Sequence, residues 1–223
     1  MKRGLIENSR KLIKSFRSPS TTTINTIRHC SGNASSRFNV LQDEDILLLP
    51  EDMRCRVEEV VEKSGFLPNI FRYLAPRPDE FRSFFNYHDV LMTREGPLTK
   101  AEREMIVVAT SAINRCNYCL MAHGAILRVY AKNPLVGDQV AINHNHADIT
   151  PRQKHMLDFA VEIAKGQPIE DSTIDDMKSK GFSEAEVWDI GAISAFFAMG
   201  NRLVNLSNMR PNDEFYLMGR VKR

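Results

Sequence analysis

Residues 98–124, "LTKAEREMIVVATSAINRCNYCLMAHG", contain a helix start, an apolar run, and then two cysteines three apart with a histidine four residues further on. Thr99 and Glu102 form a capping-box pattern, in which the threonine oxygen takes the amide of Glu102 while Glu102 reaches back to the amide of Thr99. Glu102 is therefore used locally. Glu104 is not: it lies one turn further in, beside Met105, Val108 and Ala109, and a carboxylate at a buried face is costly unless a neighbour uses it. Asn114 and Asn117 are turn and cap residues, so one helix is expected to end and another to begin near Cys116. At about 100° per residue, Cys116, Cys119 and His123 fall within roughly 60° of one another on the second helix.

A thiol in the first turn of a helix feels the partial positive charge of the free amides, which draws its pKa from about 8.5 toward neutrality. An imidazole one turn on can take its proton. The second cysteine can then attack the sulfenic acid formed when a peroxide oxidises the first, closing a disulfide within the C-x-x-C loop. This residue set fits a thiol peroxidase and also a general disulfide-exchange site. Zinc is the competing reading, but structural zinc ligands usually come as two separated pairs. No second C-x-x-C or H-x(3–5)-H pair is present, and His144 and His146 stand too close together. Cysteines as plain core sulfur are the remaining alternative. The redox reading is preferred and requires neither metal nor cofactor.

Outward from this stretch the chain keeps helical period and lacks β-rich runs. Pro50 with Glu51 and Asp52 opens a helix that Gly65 closes. From Pro78, a face of Phe81, Phe84, Phe85, His88, Leu91 and Met92 recurs at helical spacing, with His88 read as a core or interface histidine. "ITPRQKHMLDFAVEIAKG" (149–166) repeats the Thr-capped, apolar-striped form of 98–115. "STIDDMKSKG" (172–181) reads as a short helix, and Ser183 with Glu186 starts a long one. The expected architecture is all-α, one domain over 40–209 built from two related helical units, followed by a polar arm at 210–223.

Charge is uneven along the chain. Residues 1–38 hold eight Lys or Arg against one acid, Glu7, leaving 22 basic and 27 acidic residues in the remainder, a net −5 beside the +2 of the whole. A mildly acidic body does not suit a phosphate backbone, so no nucleic-acid partner is expected. No apolar run approaches the roughly 18–20 residues of a membrane span, so no membrane partner is expected either. The basic leader is rich in Ser and Thr, with Leu5, Ile6, Leu12, Ile13 and Phe16 at helical spacing, which is the composition of a mitochondrial transit peptide, and removal near Cys30 and Ser31 would suit Arg28. Four cysteines (Cys30, Cys55, Cys116, Cys119) in 223 residues are no disulfide scaffold and imply a reducing compartment, here the mitochondrial matrix.

The string Glu104, eleven residues, Cys116, two residues, Cys119, three residues, His123 resembles the active-site string of the alkylhydroperoxidase D-like family. That family also contains the carboxymuconolactone decarboxylases, and "LPNIFRYL", "SAINRCNYCLMAHG" and "GFSEAEVWDI…FFAMGNRL" are similar to its peroxidase-related branch over about Asp45 to Leu206. The resemblance implies an alkylhydroperoxidase D-like all-helical fold that forms homo-oligomers. By position it makes Cys119 the attacking thiolate, Cys116 the resolving thiol, His123 the proton relay and Glu104 the more distant base. Tyr118 stands where some members carry a second histidine. The implied partners are a small-molecule hydroperoxide and a thiol electron donor, either a dihydrolipoyl or a thioredoxin-like protein. A redox-sensing helical oligomer with little or no turnover is the alternative.

Overall fold

The computed structural model describes residues 37–220, so all but the last two residues of the basic leader, Cys30 included, lie outside the described part. Among the described residues there are helices and turns but no strand, as the all-α reading requires. These residues form two compact units, 37–82 and 83–220.

The first unit contains a 3-10 turn (Asp43–Leu48), α1 (Glu51–Ser64), α2 (Asn69–Leu74) and the opening of α3 (Pro78–Met92). Glu51 and Asp52 occupy the first turn of α1, where carboxylates meet free amides, and Gly65 closes it with φ of 85°. Met53, Val57 and Val61 on α1 and Phe71 and Leu74 on α2 are buried, and the rings of Phe71 and Phe81 meet edge to face at 5.9 Å.

The second unit holds the rest of α3, then α4 (Lys100–Ile113), α5 (Asn117–Ala131), α6 (Val136–Asn143), a 3-10 turn (His144–His146), α7 (Pro151–Lys165), α8 (Asp171–Ser179), α9 (Glu184–Ser207) and α10 (Glu214–Leu217). Three of these helices begin with complete capping boxes, Thr99 with Glu102, Thr150 with Gln153 and Ser183 with Glu186. The Gln153 box was not anticipated, although Thr150 was read as the cap.

Helix α4 is the axis of this unit. Residues Arg103 to Ser111 are buried without a break, and α5, α6, α7 and α9 all pack on it. The sequence predicted an apolar stripe, whereas the structure shows a helix enclosed on every side, as suits the unbroken run "MIVVATS". Two buried hydroxyls tie α4, α9 and α7 together: Thr110 Oγ1 lies 3.0 Å from Ser194 Oγ, and Ser194 donates to the carbonyl of Ala160 at 2.7 Å. His88 is half-buried, with Nδ1 3.0 Å from Asp89 Oδ1 and its ring against Phe197, in keeping with a core role.

The C-terminal segment, read as a polar arm, is docked. Phe215 is buried, and Arg128 of α5, itself buried, donates to the carbonyls of Phe215 and Met218 at 2.8 and 2.9 Å. Arg220 pairs with both carboxylate oxygens of Asp138. One aromatic residue and one interior guanidinium seeking acceptors outweigh the polarity of the segment.

Helices α5 and α6 approach closely enough that a Cβ on Gly137 would stand 2.7 Å from the carbonyl oxygen of Gly124. The obstacle is backbone and cannot rotate away. Gly137→Ala is expected to destabilise the fold by about 1–3 kcal/mol, the range for overpacking, read from denaturant midpoints. An unchanged midpoint would show that the two helices separate at no cost.

Candidate active site

The turn between α4 and α5 builds the site. Asn114 ends α4, Arg115 takes the left-handed conformation with φ of 53°, and Cys116 follows in extended backbone. The amide of Cys116 donates to the carbonyl of Ser111 at 3.0 Å and that of Arg115 to Ala112 at 3.1 Å, the pair of bonds that defines a Schellman termination. Glycine is the usual residue at the left-handed position, and an arginine there costs on the order of 1–2 kcal/mol. The same residue that closes α4 also opens α5: Cys116 is its N-cap, and its sulfur accepts the amide of Cys119 at 3.4 Å. A sulfur thus fills the place that serine or aspartate usually takes at a helix start.

All four residues expected from the sequence lie in this unit. Cys116 and Cys119 are both buried, and both thiols are free. His123, one turn beyond Cys119, places Nδ1 2.8 Å from Oε2 of Glu104, which is itself only 5% exposed. The acid with no local partner in α4 is therefore paired across the helix interface with the histidine of α5. With Glu104 ionised, Nδ1 carries the hydrogen and donates it, leaving Nε2 as the basic nitrogen. The His123 ring stands edge-on to Phe197 at 4.8 Å, which fixes its plane.

The two sulfurs have opposite acidities. The neighbouring Cys119 side chain holds Cys116 below the ordinary thiol range against the effect of burial, helped by the Cys119 amide, the Asn201 side chain and the charge of His123. Cys119 is pushed well above that range by the neighbouring Cys116 side chain, by burial and by the Cys116 charge, with Asn201 and Ser111 acting the other way. Cys116 is thus the more acidic of the two thiols. The resemblance gives attack to Cys119, the less acidic of the two.

Tyr118 is buried, with its ring edge-on to Phe215. It lines a cleft of about 440 Å³ on the outer side of the turn, together with Arg115, Asn117, Asn205, Arg210 and Tyr216. Among the described residues, no group of three or more His, Cys, Asp or Glu side chains converges to hold a metal ion, and His144 bonds to Asp158 instead. No described helix is long and apolar enough to cross a membrane.

Ser111 and Asn201 were not singled out from the sequence, and Asn114 only as a turn residue. Asn201 sits at 0% exposure on the inner face of α9 with Phe197 and Val204. An amide at the spacing of a buried stripe was the available signal.

The pattern of the carboxymuconolactone decarboxylase family matches residues 78–134. An uncharacterized peroxidase-related protein from Ralstonia eutropha JMP134, described as an alkylhydroperoxidase AhpD core, superposes with a TM-score of 0.80 at 55% identity, covering 84% of this chain and 98% of that one. The chain belongs to the alkylhydroperoxidase D-like family. A second peroxidase-related protein of this family, from Silicibacter sp. TM1040, superposes with a TM-score of 0.74 at 36% identity, covering 77% of this chain and 91% of its own. The debrominase Bmp8 shares the fold at 17% identity, with a TM-score of 0.65 and coverage of 88% and 97%. Sestrin-2 of Bos taurus is 31% identical over 67 residues, 30% of this chain, and the chain spans 14% of the length of that curated relative.

The opposed acidities predict how each single-cysteine variant behaves. In Cys116→Ser the remaining thiol no longer competes with a second, more acidic sulfur, so Cys119 is expected to titrate lower than in the native pair. In Cys119→Ser, Cys116 keeps the helix amide and a hydroxyl donor and stays below the ordinary thiol range. The pH dependence of iodoacetamide alkylation measures both. A Cys116 thiol in Cys119→Ser that titrates at or above an ordinary cysteine would contradict the N-cap account.

Proposed function

We propose that this alkylhydroperoxidase D-like chain is a thiol-dependent hydroperoxide reductase that cycles Cys116 and Cys119 between dithiol and disulfide. One observation carries the reading: two buried cysteines at a helix start, the sulfur of Cys116 accepting the amide of Cys119, beside a buried histidine–carboxylate pair. Cys119 is the attacking sulfur, since it keeps a small exposed surface where Cys116 has none. Its proton passes to Nε2 of His123. The Cys119 thiolate attacks the terminal oxygen of the hydroperoxide, the O–O bond breaks, and the departing alkoxide takes a proton from protonated His123 to leave as an alcohol. His123 then removes the proton from Cys116, whose thiolate attacks the Cys119 sulfenic acid. The S–O bond breaks, the hydroxide takes the proton that His123 removed from Cys116 and leaves as water, and the disulfide closes. Glu104 holds the ring in the tautomer that keeps Nε2 available and supports its positive charge. A dithiol, dihydrolipoyl or thioredoxin-like, returns two electrons by exchange.

Intact mass after a stoichiometric pulse of hydroperoxide is expected to fall by two hydrogens, with the loss in the peptide holding both cysteines. Cys119→Ser abolishes thiol-dependent turnover, and Glu104→Gln slows it by about 10²-fold, within the range of general acid–base catalysis, and moves its pH optimum. A persistent dithiol after the pulse, or full activity in Cys119→Ser, would refute the proposal. A dithiol that resists peroxide yet exchanges with protein disulfides would favour the exchange reading.

Two further parts of the proposal concern assembly and address. Along α9, Trp188, Met199, Leu203 and Leu206 are exposed and form a stripe with Ala192 and Ala195. Paired antiparallel about a two-fold axis near residue 197, Trp188 of one copy would meet Leu206 of the other and Ala195 would meet Met199, setting large against small. Light scattering should show an oligomer that Met199→Glu dissociates, and a native monomer at micromolar concentration would count against it. The acid-poor leader supports delivery to the mitochondrial matrix. Residues 1–38 fused to a reporter should direct it there, with a diffuse cytosolic signal as the opposing result.

A further inference from the structure

The turn between α4 and α5 is held by α9, through groups that the reaction scheme above does not use. Asn201 is fully buried on α9. Its Oδ1 accepts from the side-chain amide of Asn114 at 3.0 Å, and its Nδ2 donates to the hydroxyl oxygen of Ser111 at 3.0 Å. One turn on, the side chain of Asn205 donates to the backbone carbonyl of Asn114 at 3.1 Å. Ser111 is itself fully buried, and its carbonyl accepts the backbone amide of Cys116 at 3.0 Å. Residues i and i+4 of α9 therefore grip Ser111 and Asn114, and the grip reaches the backbone of Cys116 through a bond at each step.

The grip falls where the backbone is least able to hold itself. Arg115 takes the left-handed conformation at φ of 53°, which costs a residue with a side chain free energy that glycine would not incur. Released from α9, Asn114 and Arg115 would relax, and Cys116, next in the chain, would move with them. Cys119 would stay, because it belongs to the body of α5, which packs on α4 and α6. The placement of one cysteine against the other is thus set by the turn, and the turn is set by α9. In the held arrangement the Cys116 sulfur already lies 3.4 Å from the Cys119 amide nitrogen. A backbone fixed in one conformation loses less freedom when a disulfide closes than one that samples several.

We propose that Asn201 and Asn205 are positioning residues for disulfide closure, a clamp that ties the turn between α4 and α5 to α9 and holds Cys116 within reach of Cys119. Ser111 and Asn114 are its points of attachment. The clamp acts on the backbone of the turn. By reducing the entropy lost on closure it stabilises the disulfide relative to the dithiol, so the clamped pair is the harder to reduce. In a glutathione buffer, closure passes two electrons and two protons from the pair to glutathione disulfide, which leaves as two glutathione thiols. The inference rests on the reading that Cys116 and Cys119 cycle between dithiol and disulfide, but both of its readouts are free of peroxide.

Hydrogen exchange of the Cys116 amide in the reduced full chain reads the turn, and the fraction oxidised across glutathione buffers, trapped by acid and alkylation, reads the pair. Circular dichroism confirms folding. Asn201→Leu keeps the volume and removes both side-chain bonds. It is expected to speed exchange about tenfold and to lower the equilibrium constant for closure about tenfold, a potential about 30 mV less negative. Asn205→Ala, at an exposed position, removes one bond and is expected to move both readouts the same way by about threefold. Met177→Ala, a core truncation in α8, which packs on α7 and α9, destabilises the chain but is expected to leave the glutathione equilibrium unchanged. Folded clamp variants with native exchange overturn the proposal. So does faster exchange with a native glutathione equilibrium, or an equal shift of that equilibrium in Met177→Ala. If Asn201→Leu does not fold, Asn205→Ala decides. Shifted clamp variants in a chain that closes its disulfide but never reduces peroxide would establish the clamp and refute the reductase. Peroxide turnover with unshifted variants would do the reverse.

Discussion

The hydrogen bond from the Cys119 amide to the Cys116 sulfur is the interaction on which the site depends, and it exists because one residue terminates α4 and caps α5 at once. Ordinarily a Schellman turn and a helix N-cap are separate devices with a connecting loop between them. Here they share Cys116, which leaves its sulfur no freedom: the amide of Cys119 holds it from one side while the backbone bond to Ser111 fixes its own amide on the other. Arg115 in the left-handed region is the strained element that permits this economy.

Burial sets the electrostatics. Two thiols in water would titrate nearly independently, whereas two sulfurs removed from water and in contact cannot both ionise, so one is driven down and the other up. The same reasoning explains Glu104. A carboxylate in the most enclosed helix of the unit is tolerated because His123 donates to it, and the histidine in turn gains a fixed tautomer. Each polar group in the site is thus held by the cost of leaving its partner alone.

Much of the fold was legible because its punctuation is local. The caps at Thr99, Thr150 and Ser183, the left-handed Gly65 and the break at Asn114 each depend on a few neighbouring residues. The candidate residues Glu104, Cys116, Cys119 and His123 could be named for the same reason, since their spacing lies within twenty residues along two consecutive helices. Where the reading fell short, distance in sequence was the cause. The stripe on α4 proved to be burial on all sides because partners from α6, α7 and α9 enclose it. The tail that reads as polar is anchored by Arg128, some ninety residues earlier.

The sequence by itself determined the helical class, the helix starts, and the presence of two sulfurs, an imidazole and a carboxylate within reach of one another, because helix periodicity and capping chemistry act over a few residues. Only the tertiary structure decided that Glu104 meets His123, that Asn201 comes from α9 to bond Ser111 and Asn114, and which of the two thiols is the more acidic. Those outcomes are set by dielectric burial and by contacts between helices far apart in the chain, and neither has a local signature in the order of the amino acids.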